Sequence, residues 1–162
     1  MLSGVVHENP AHHLRGEREE VSASNLGFKY RKSSFAADDI MLSVTLELPD
    51  RPFPEIMEHV KQLNKRRLSS QPLKENSAGC IFKNPPGGST GKMIDELGLK
   101  GMRVGGASVS TLHANFMVTE RGARAADLLA LTASVRESVR ARFGVELDME
   151  VLPIGRQAPA IA

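Results

Sequence analysis

Leu112-His113-Ala114-Asn115-Phe116-Met117-Val118-Thr119 leads through a short polar link into Ala123–Phe143. That segment leads through Gly144 into Val145-Glu146-Leu147-Asp148-Met149-Glu150-Val151-Leu152-Pro153-Ile154-Gly155. In the first stretch Leu112, Ala114, Phe116 and Val118 are interrupted by His113, Asn115 and Thr119, which predicts a buried strand. In the second, Ala126, Leu129, Ala130, Ala133, Val135, Val139 and Phe143 recur at helical steps. Arg136, Arg140 and Arg142 populate its end and Gly144 closes it. In the third, Val145, Leu147, Met149 and Val151 share one face while Glu146, Asp148 and Glu150 share the other, which predicts a strand.

The same pattern extends upstream. Leu42, Val44, Leu46 and Leu48 alternate with Ser43, Thr45 and Glu47, so residues 39–48 read as a strand with one wet face. Pro49, Pro52 and Pro54 break it. Pro54 to about Ser69 reads as a helix with Ile56, Met57, Val60, Leu63 and Leu68 near one stripe. After a loop, Ser89 or Thr90 caps a short helix with Met93, Ile94 and Leu97 as its apolar face and Gly98 as its stop. Leu99–Ala107 is glycine-punctuated and reads as a strand or a loop with tight backbone packing. The order strand, helix, loop, helix, strand, helix, strand predicts an α+β layer fold. The expected organisation is an irregular segment at 1–23, a short region at 24–50, a domain at 51–155 and a tail at 156–162.

Composition narrows the function classes. The chain has 162 residues, 41% hydrophobic and 25% charged, ordinary for a globular protein with a real core. A net charge of +2, one Tyr and no Trp give no footprint for nucleic acid. No apolar run approaches the ~20 residues of a membrane helix. The single cysteine cannot form an internal disulfide, so a reducing, cytoplasmic setting is expected. His7, His12 and His13 match no standard metal spacing. Gly87 and Gly91 with Lys92-Met93 fail the phosphate-loop pattern, and no GxGxxG register is present.

The one cysteine lies in Asn76-Ser77-Ala78-Gly79-Cys80-Ile81-Phe82-Lys83-Asn84-Pro85. A thiol, an ammonium and an amide within five residues offer a proton donor, a cation and a two-way hydrogen-bonding group. A packed small hydrophobe is the commoner fate of a lone cysteine, so the thiol alone decides nothing. Tyr30-Arg31 similarly offers a hydroxyl and a planar cationic fork, or simply a half-buried ring beside a solvated Arg.

Five ordered stretches carry a resemblance: Ser77–Pro85, Lys92–Gly101, Gly105–Ser110, His113–Phe116 and Phe143–Val151. Together they resemble the C-terminal part of the UDP-N-acetylenolpyruvoylglucosamine reductases, also called UDP-N-acetylmuramate dehydrogenases (MurB). Phe28–Phe35 is similar to the end of that family's flavin domain. The resemblance implies a MurB C-terminal-type substrate-binding domain, preceded by a remnant of the flavin domain's last strands. It implies the chemistry of peptidoglycan precursor synthesis in a bacterial cytoplasm: NADPH reduces FAD, and hydride passes to C3 of the enolpyruvyl group of UDP-N-acetylglucosamine enolpyruvate. A Ser or Cys then protonates C2, and that position here is Cys80. Free thiols titrate at ~8.5 and start protonated at neutral pH. By the same resemblance Glu150 is the carboxylate that assists the enol intermediate, and Tyr30 and Asn84 hold substrate, with Arg31 and Lys83 in matching motifs.

The chain also departs from the family. The glycine-rich loop of the flavin half has no counterpart here, so the expectation is a truncated member, or one whose FAD domain is separately encoded and acts as its partner, inactive without that domain. The alternatives are a non-catalytic UDP-sugar-binding module and an inactive fragment.

Overall fold

The alternating run at 39–48 forms a strand, β3, Ile40–Leu46. The computed structural model describes residues 2–8, 18–36 and 39–155. His12, His13 and the tail at 156–162 lie outside the described residues. The chain separates into two compact units, Met1–Glu55 and Ile56–Ala162. The expected boundary at 50/51 compares with a division inside helix α1, Phe53–Ser70.

The first unit is a three-stranded antiparallel sheet in the order β2-β1-β3, with β1 at Leu2–Glu8 and β2 at Arg18–Ser22. The start of the chain is therefore not irregular throughout, as its composition suggested. Strand β1 pairs on both edges, Val5 lying opposite Val21 on one side and Val44 on the other. Its hydrogen bonds come from two partners, and a local pattern does not report them. Beyond β2 the chain makes a short 3₁₀ turn at Ala23–Asn25 and buries Leu26 fully.

Helix α1 forms where the proline-led run predicted it. Pro54 falls in its first turn, where a missing N–H costs nothing. None of its residues is buried, and the stripe Ile56, Met57, Val60, Leu63 and Leu68 is exposed along its length.

The second unit layers two helices on a four-stranded antiparallel sheet, which establishes the α+β class. The strands are β4 (Asn76–Cys80), β5 (Arg103–Val104), β6 (Ala107–Val109) and β7 (Phe116–Thr119), in the order β4-β7-β6-β5. Helix α2, Thr90–Glu96, is the expected short helix, and Gly98 follows it with φ +67°. Helix α3, Ala125–Phe143, ends at Gly144 in the left-handed conformation. It packs on β5 and β6 and touches α2.

The core gathers Ile81, Phe82, Ile94, Val109, Met117, Leu131, Val135, Val139 and Leu147. Each full burial of such a side chain stabilises by about 1.5–3 kcal/mol. The buried stripe of α3 is Leu131, Thr132, Val135 and Val139, whereas Ala126, Ala130 and Ala133, which fit the helical period, face solvent. Small side chains satisfy the period of either face, so the larger residues decide which one turns inward.

Three segments depart from expectation. Asn76–Cys80 is a strand rather than a loop. The strand expected from Leu112 begins only at Phe116; before it the Ser110 hydroxyl accepts the N–H groups of Leu112 (3.2 Å) and His113 (3.4 Å), holding a turn. Val145–Gly155 keeps its alternation, with Leu147 buried and Glu146 and Asp148 exposed, yet forms no strand beyond one bridge, Met149 to Phe82.

The start of α3 is tied to the β5–β6 turn. The Asp127 carboxylate accepts the N–H groups of Arg124 (3.0 Å) and Gly106 (3.2 Å). These bonds hold Asp127 below its ordinary pKa, the Arg124 amide first and the Gly106 amide second. A Cβ on Gly106 would sit 2.7 Å from the Cα of Ala123, so this close approach of turn and helix requires glycine.

Candidate active site

Strand β4 carries Cys80 at its end. Asn76 pairs with Thr119 and Ser77 with Val118, and the register then shifts so that Cys80 faces Phe116. Ala78 and Gly79 thus stand against Met117 alone, as a bulge. Gly79 has φ +87° and a Cβ there would meet nothing within 4 Å, so glycine is required by backbone conformation rather than by space. The bulge turns the strand just before the thiol. Cys80 is half-buried and forms no disulfide.

Past Cys80 the chain becomes the middle of three adjoining tracks, antiparallel to its neighbours. On one side Ile81 N–H donates to the carbonyl of Asn115 at 2.9 Å. The Asn115 side chain then takes both main-chain groups of Phe82. Its Oδ1 accepts Phe82 N–H at 3.1 Å and its Nδ2 donates to Phe82 O at 2.8 Å. On the other side Lys83 N–H donates to Asp148 O (2.9 Å) and Glu150 N–H donates to Ile81 O (2.8 Å). Glu150, half-buried, is thereby laid beside the residue that follows Cys80.

Lys83 and Asn84 are anchored to α2. The Thr90 hydroxyl, fully buried, donates to Lys83 O at 2.7 Å. Asn84 Oδ1 accepts Thr90 N–H at 3.0 Å. The helix is therefore capped by Asn84 rather than by the hydroxyl of Ser89 or Thr90. Lys83 is half-buried and Asn84 exposed.

Four of the six residues singled out from the sequence, Cys80, Lys83, Asn84 and Glu150, thus come together on adjoining backbone of the second unit. Tyr30 and Arg31 belong to the first unit. They occupy the tip of a tight turn in which Lys29 N–H donates to Lys32 O (2.9 Å) and Lys32 N–H to Lys29 O (3.1 Å). Arg31 is left-handed at φ +55°, a conformation that costs a residue with a Cβ about 1 kcal/mol or more, and its guanidinium lies 5.9 Å from the Tyr30 ring centroid. Both side chains are exposed.

Beside α2 lies a cavity of about 210 Å³ lined by Ser89, Lys92, Asp95, Lys100, Leu112 and His113, among others. Lys100 bridges to Asp95 at 2.9 Å. His113 Nδ1 accepts Asn115 N–H at 3.2 Å, which fixes a neutral ring with its proton on Nε2. Burial lowers its pKa below 6.5, and Lys100 adds to that shift. No group of His, Cys, Asp and Glu suited to a metal occurs among the described residues. None of the described helices is long and apolar enough to cross a membrane.

Asn115 and Thr90 are the residues that reading the sequence passed over, one as an interruption of a strand and one as a helix cap. An amide set among Ala114, Phe116 and Met117 was the available signal, because a buried polar side chain must find partners.

Comparison with known proteins agrees with this architecture. The family profile described as "UDP-N-acetylenolpyruvoylglucosamine reductase, C-terminal domain" matches residues 71–154. The UDP-N-acetylenolpyruvoylglucosamine reductase of Phenylobacterium zucineum is 44% identical over 144 residues, covering 87% of this chain and 48% of that protein. That of Thermus thermophilus is 47% identical over 128 residues, covering 79% of this chain and 46% of that protein. The crystal structure of the Thermus caldophilus enzyme (MurB) superposes with a TM-score of 0.76 at 41% identity, covering 94% of this chain and 53% of that one. The chain spans about half the length of these relatives. By matched residues, identity and fold, the chain belongs to the family of the UDP-N-acetylenolpyruvoylglucosamine reductase C-terminal domain.

Proposed function

We propose that this chain is the substrate-binding and proton-donating part of a UDP-N-acetylmuramate dehydrogenase of peptidoglycan precursor synthesis. Its substrate is UDP-N-acetylglucosamine enolpyruvate. The reaction adds hydride to C3 of the enolpyruvyl group and a proton to C2. FAD, re-reduced by NADPH, supplies the hydride when bound. The Cys80 thiol supplies the proton and is left as a thiolate that solvent reprotonates. Glu150 assists at the enol carbon, while Lys83, Asn84, Tyr30 and Arg31 bind the substrate's polar groups.

The observation that supports this most is the pairing of Ile81–Lys83 with Asp148–Glu150, which brings the Cys80 and Glu150 segments side by side. A half-buried thiol and a half-buried carboxylate carried on adjoining segments suit general acid chemistry.

This reading assigns the flavin diphosphate no cradle among the described residues. The start of α2 is closed by Asn84 on Thr90 N–H and that of α3 by Asp127 on Arg124 and Gly106. In this reading FAD is held by a separate domain, and only the proton side of the reaction belongs to these residues.

Two measurements test the proposal. Calorimetric titration of the chain with UDP-N-acetylglucosamine enolpyruvate should give measurable heat; none up to millimolar ligand would end the substrate assignment. With the flavin half of a relative added, Cys80→Ala should slow oxidation of reduced flavin by substrate about 10²–10⁴-fold, the usual worth of a general acid, while Cys80→Ser keeps most of the rate. Equal loss in both variants, or none in either, removes Cys80 as the donor.

A further inference from the structure

We infer that Asn115 is a positioning residue for the Cys80–Glu150 pair, acting as a substitute strand residue that sets their mutual register. This rests on the reading of that pair given above. Asn115 is 4% exposed, so its amide groups are committed inside the protein. Its side chain offers an acceptor and a donor to the N–H and C=O of one residue, Phe82, the same pair of bonds that a neighbouring β-residue would exchange. Strand β4 ends at Cys80 and β7 starts at Phe116, so these bonds carry the ladder past the point where main-chain pairing between the two strands stops.

The alternation of bonds makes the argument specific. Phe82 spends its main-chain groups on Asn115. Ile81 O and Lys83 N–H point the other way, to Glu150 N–H and Asp148 O. Residues 81–83 thus behave as a central strand held by a side chain on one edge and by the Glu150 segment on the other. If the Phe82 peptide groups lose Asn115, they must find other partners, because buried main-chain polar groups are costly to leave unmade. The simplest adjustment rotates the 81–83 backbone, and that moves Cys80 and Glu150 relative to each other. The bonds described for Asn115 go to Ile81, Phe82 and His113.

Because Cys80 is the only cysteine, thiol reactivity reads this geometry on the intact chain without flavin or substrate. The experiment is the pH profile of reaction with a soluble aromatic disulfide, in wild type, Glu150→Gln, Asn115→Leu and the double variant, at temperatures where each is folded. In wild type, Glu150→Gln should shift the midpoint down by removing a neighbouring negative charge, with at least a threefold rise in rate near pH 7. In the Asn115→Leu background that shift should fall below half its size. Asn115→Asp retains an acceptor for Phe82 N–H but loses the donor to Phe82 O, and should fall between the two.

A role in stability alone would lower the melting temperature and leave the Glu150 effect intact; a full-size effect in Asn115→Leu overturns the inference. If Glu150→Gln changes nothing even in wild type, the Cys80–Glu150 reading itself fails, and the role of Asn115 falls with it. Should Asn115→Leu not fold, hydrogen exchange on the wild-type chain decides. The Phe82 amide should be protected as strongly as that of Ile81, and rapid exchange at Phe82 overturns the inference.

Discussion

Strands β3 and β7 carry the same kind of alternating sequence and reach different surroundings. In β7, Phe116, Met117 and Val118 are all buried, between neighbours β4 and β6 and beneath the helical layer of their unit. In β3, every residue from Ile40 to Leu46 is exposed, including Leu42 and Val44, which the period assigned to a dry face. Period two follows from the pleat and reports that a segment is extended. It does not report what lies over the segment. In the second unit α2 and α3 pack into the core over the sheet, whereas the described residues of the first hold only a 3₁₀ turn and the first residues of α1.

The sharpest test uses one residue type on both strands. Met117 is 2% exposed and its sulfur receives the Thr132 hydroxyl at 3.5 Å; Met41 is 43% exposed. Met117→Ala should cost about 2–5 kcal/mol through lost burial and an unfilled cavity. Met41→Ala should stay within about 0.5 kcal/mol, as surface substitutions do. Urea unfolding measures both. Equal losses would show that β3 is covered in solution, and the contrast between the strands would collapse.

How much of this was legible follows from the same distinction. Helices α1, α2 and α3 were readable because period, proline starts and glycine stops are local signals; Gly98 and Gly144 take the left-handed conformations that their positions implied. Strand β1 was not, because Leu-Ser-Gly-Val-Val-His-Glu has little pattern and gains its order by pairing on both edges. At the candidate site, the sequence marked Cys80 and Glu150 through resemblance to a family. Neither composition nor spacing could join residues so far apart. The device that joins their segments, Asn115 on Phe82 with Phe82 on Met149, consists only of long-range bonds. Tyr30 and Arg31 were legible as a polar pair, whereas the left-handed turn that presents them was not, since arginine has no preference for it.

A smaller effect probes why the second unit packs as it does. Gly106→Ala places a methyl 2.7 Å from the Cα and Cβ of Ala123, and main chain cannot move aside cheaply. The expected cost is about 1–3 kcal/mol, in the range of overpacked sites. It should appear in the unfolding of the second unit alone. An unchanged urea midpoint would mean that the turn and the start of α3 are less closely joined than the Asp127 bonds require.

The smallest effect is a dependence on pH carried by His113. Burial lowers its pKa from 6.5, while Lys100 contributes in the same direction and a hydrogen bond with the main chain of His113 itself opposes it. Across the cavity it also faces Lys92 and Asp95, the latter already bridged to Lys100. The folded state therefore binds the proton less readily than the unfolded chain, and stability rises with pH wherever the unfolded state holds more protons. As pH falls through 6.5 the unfolded chain takes up a proton that the folded ring still refuses, and stability drops until pH passes below the folded value. Below that point no further loss comes from this group. Subtracting the urea midpoint of His113→Gln from that of wild type at each pH removes the carboxylates that titrate in the same experiment. That difference should be constant above pH 7.5 and should decline between pH 7 and 5. A difference that grew on acidification would mean a raised pKa and an anionic partner for a protonated ring, which the neutral contact of Nδ1 with Asn115 N–H contradicts. A flat difference would mean that the ring is as wet as in the unfolded chain.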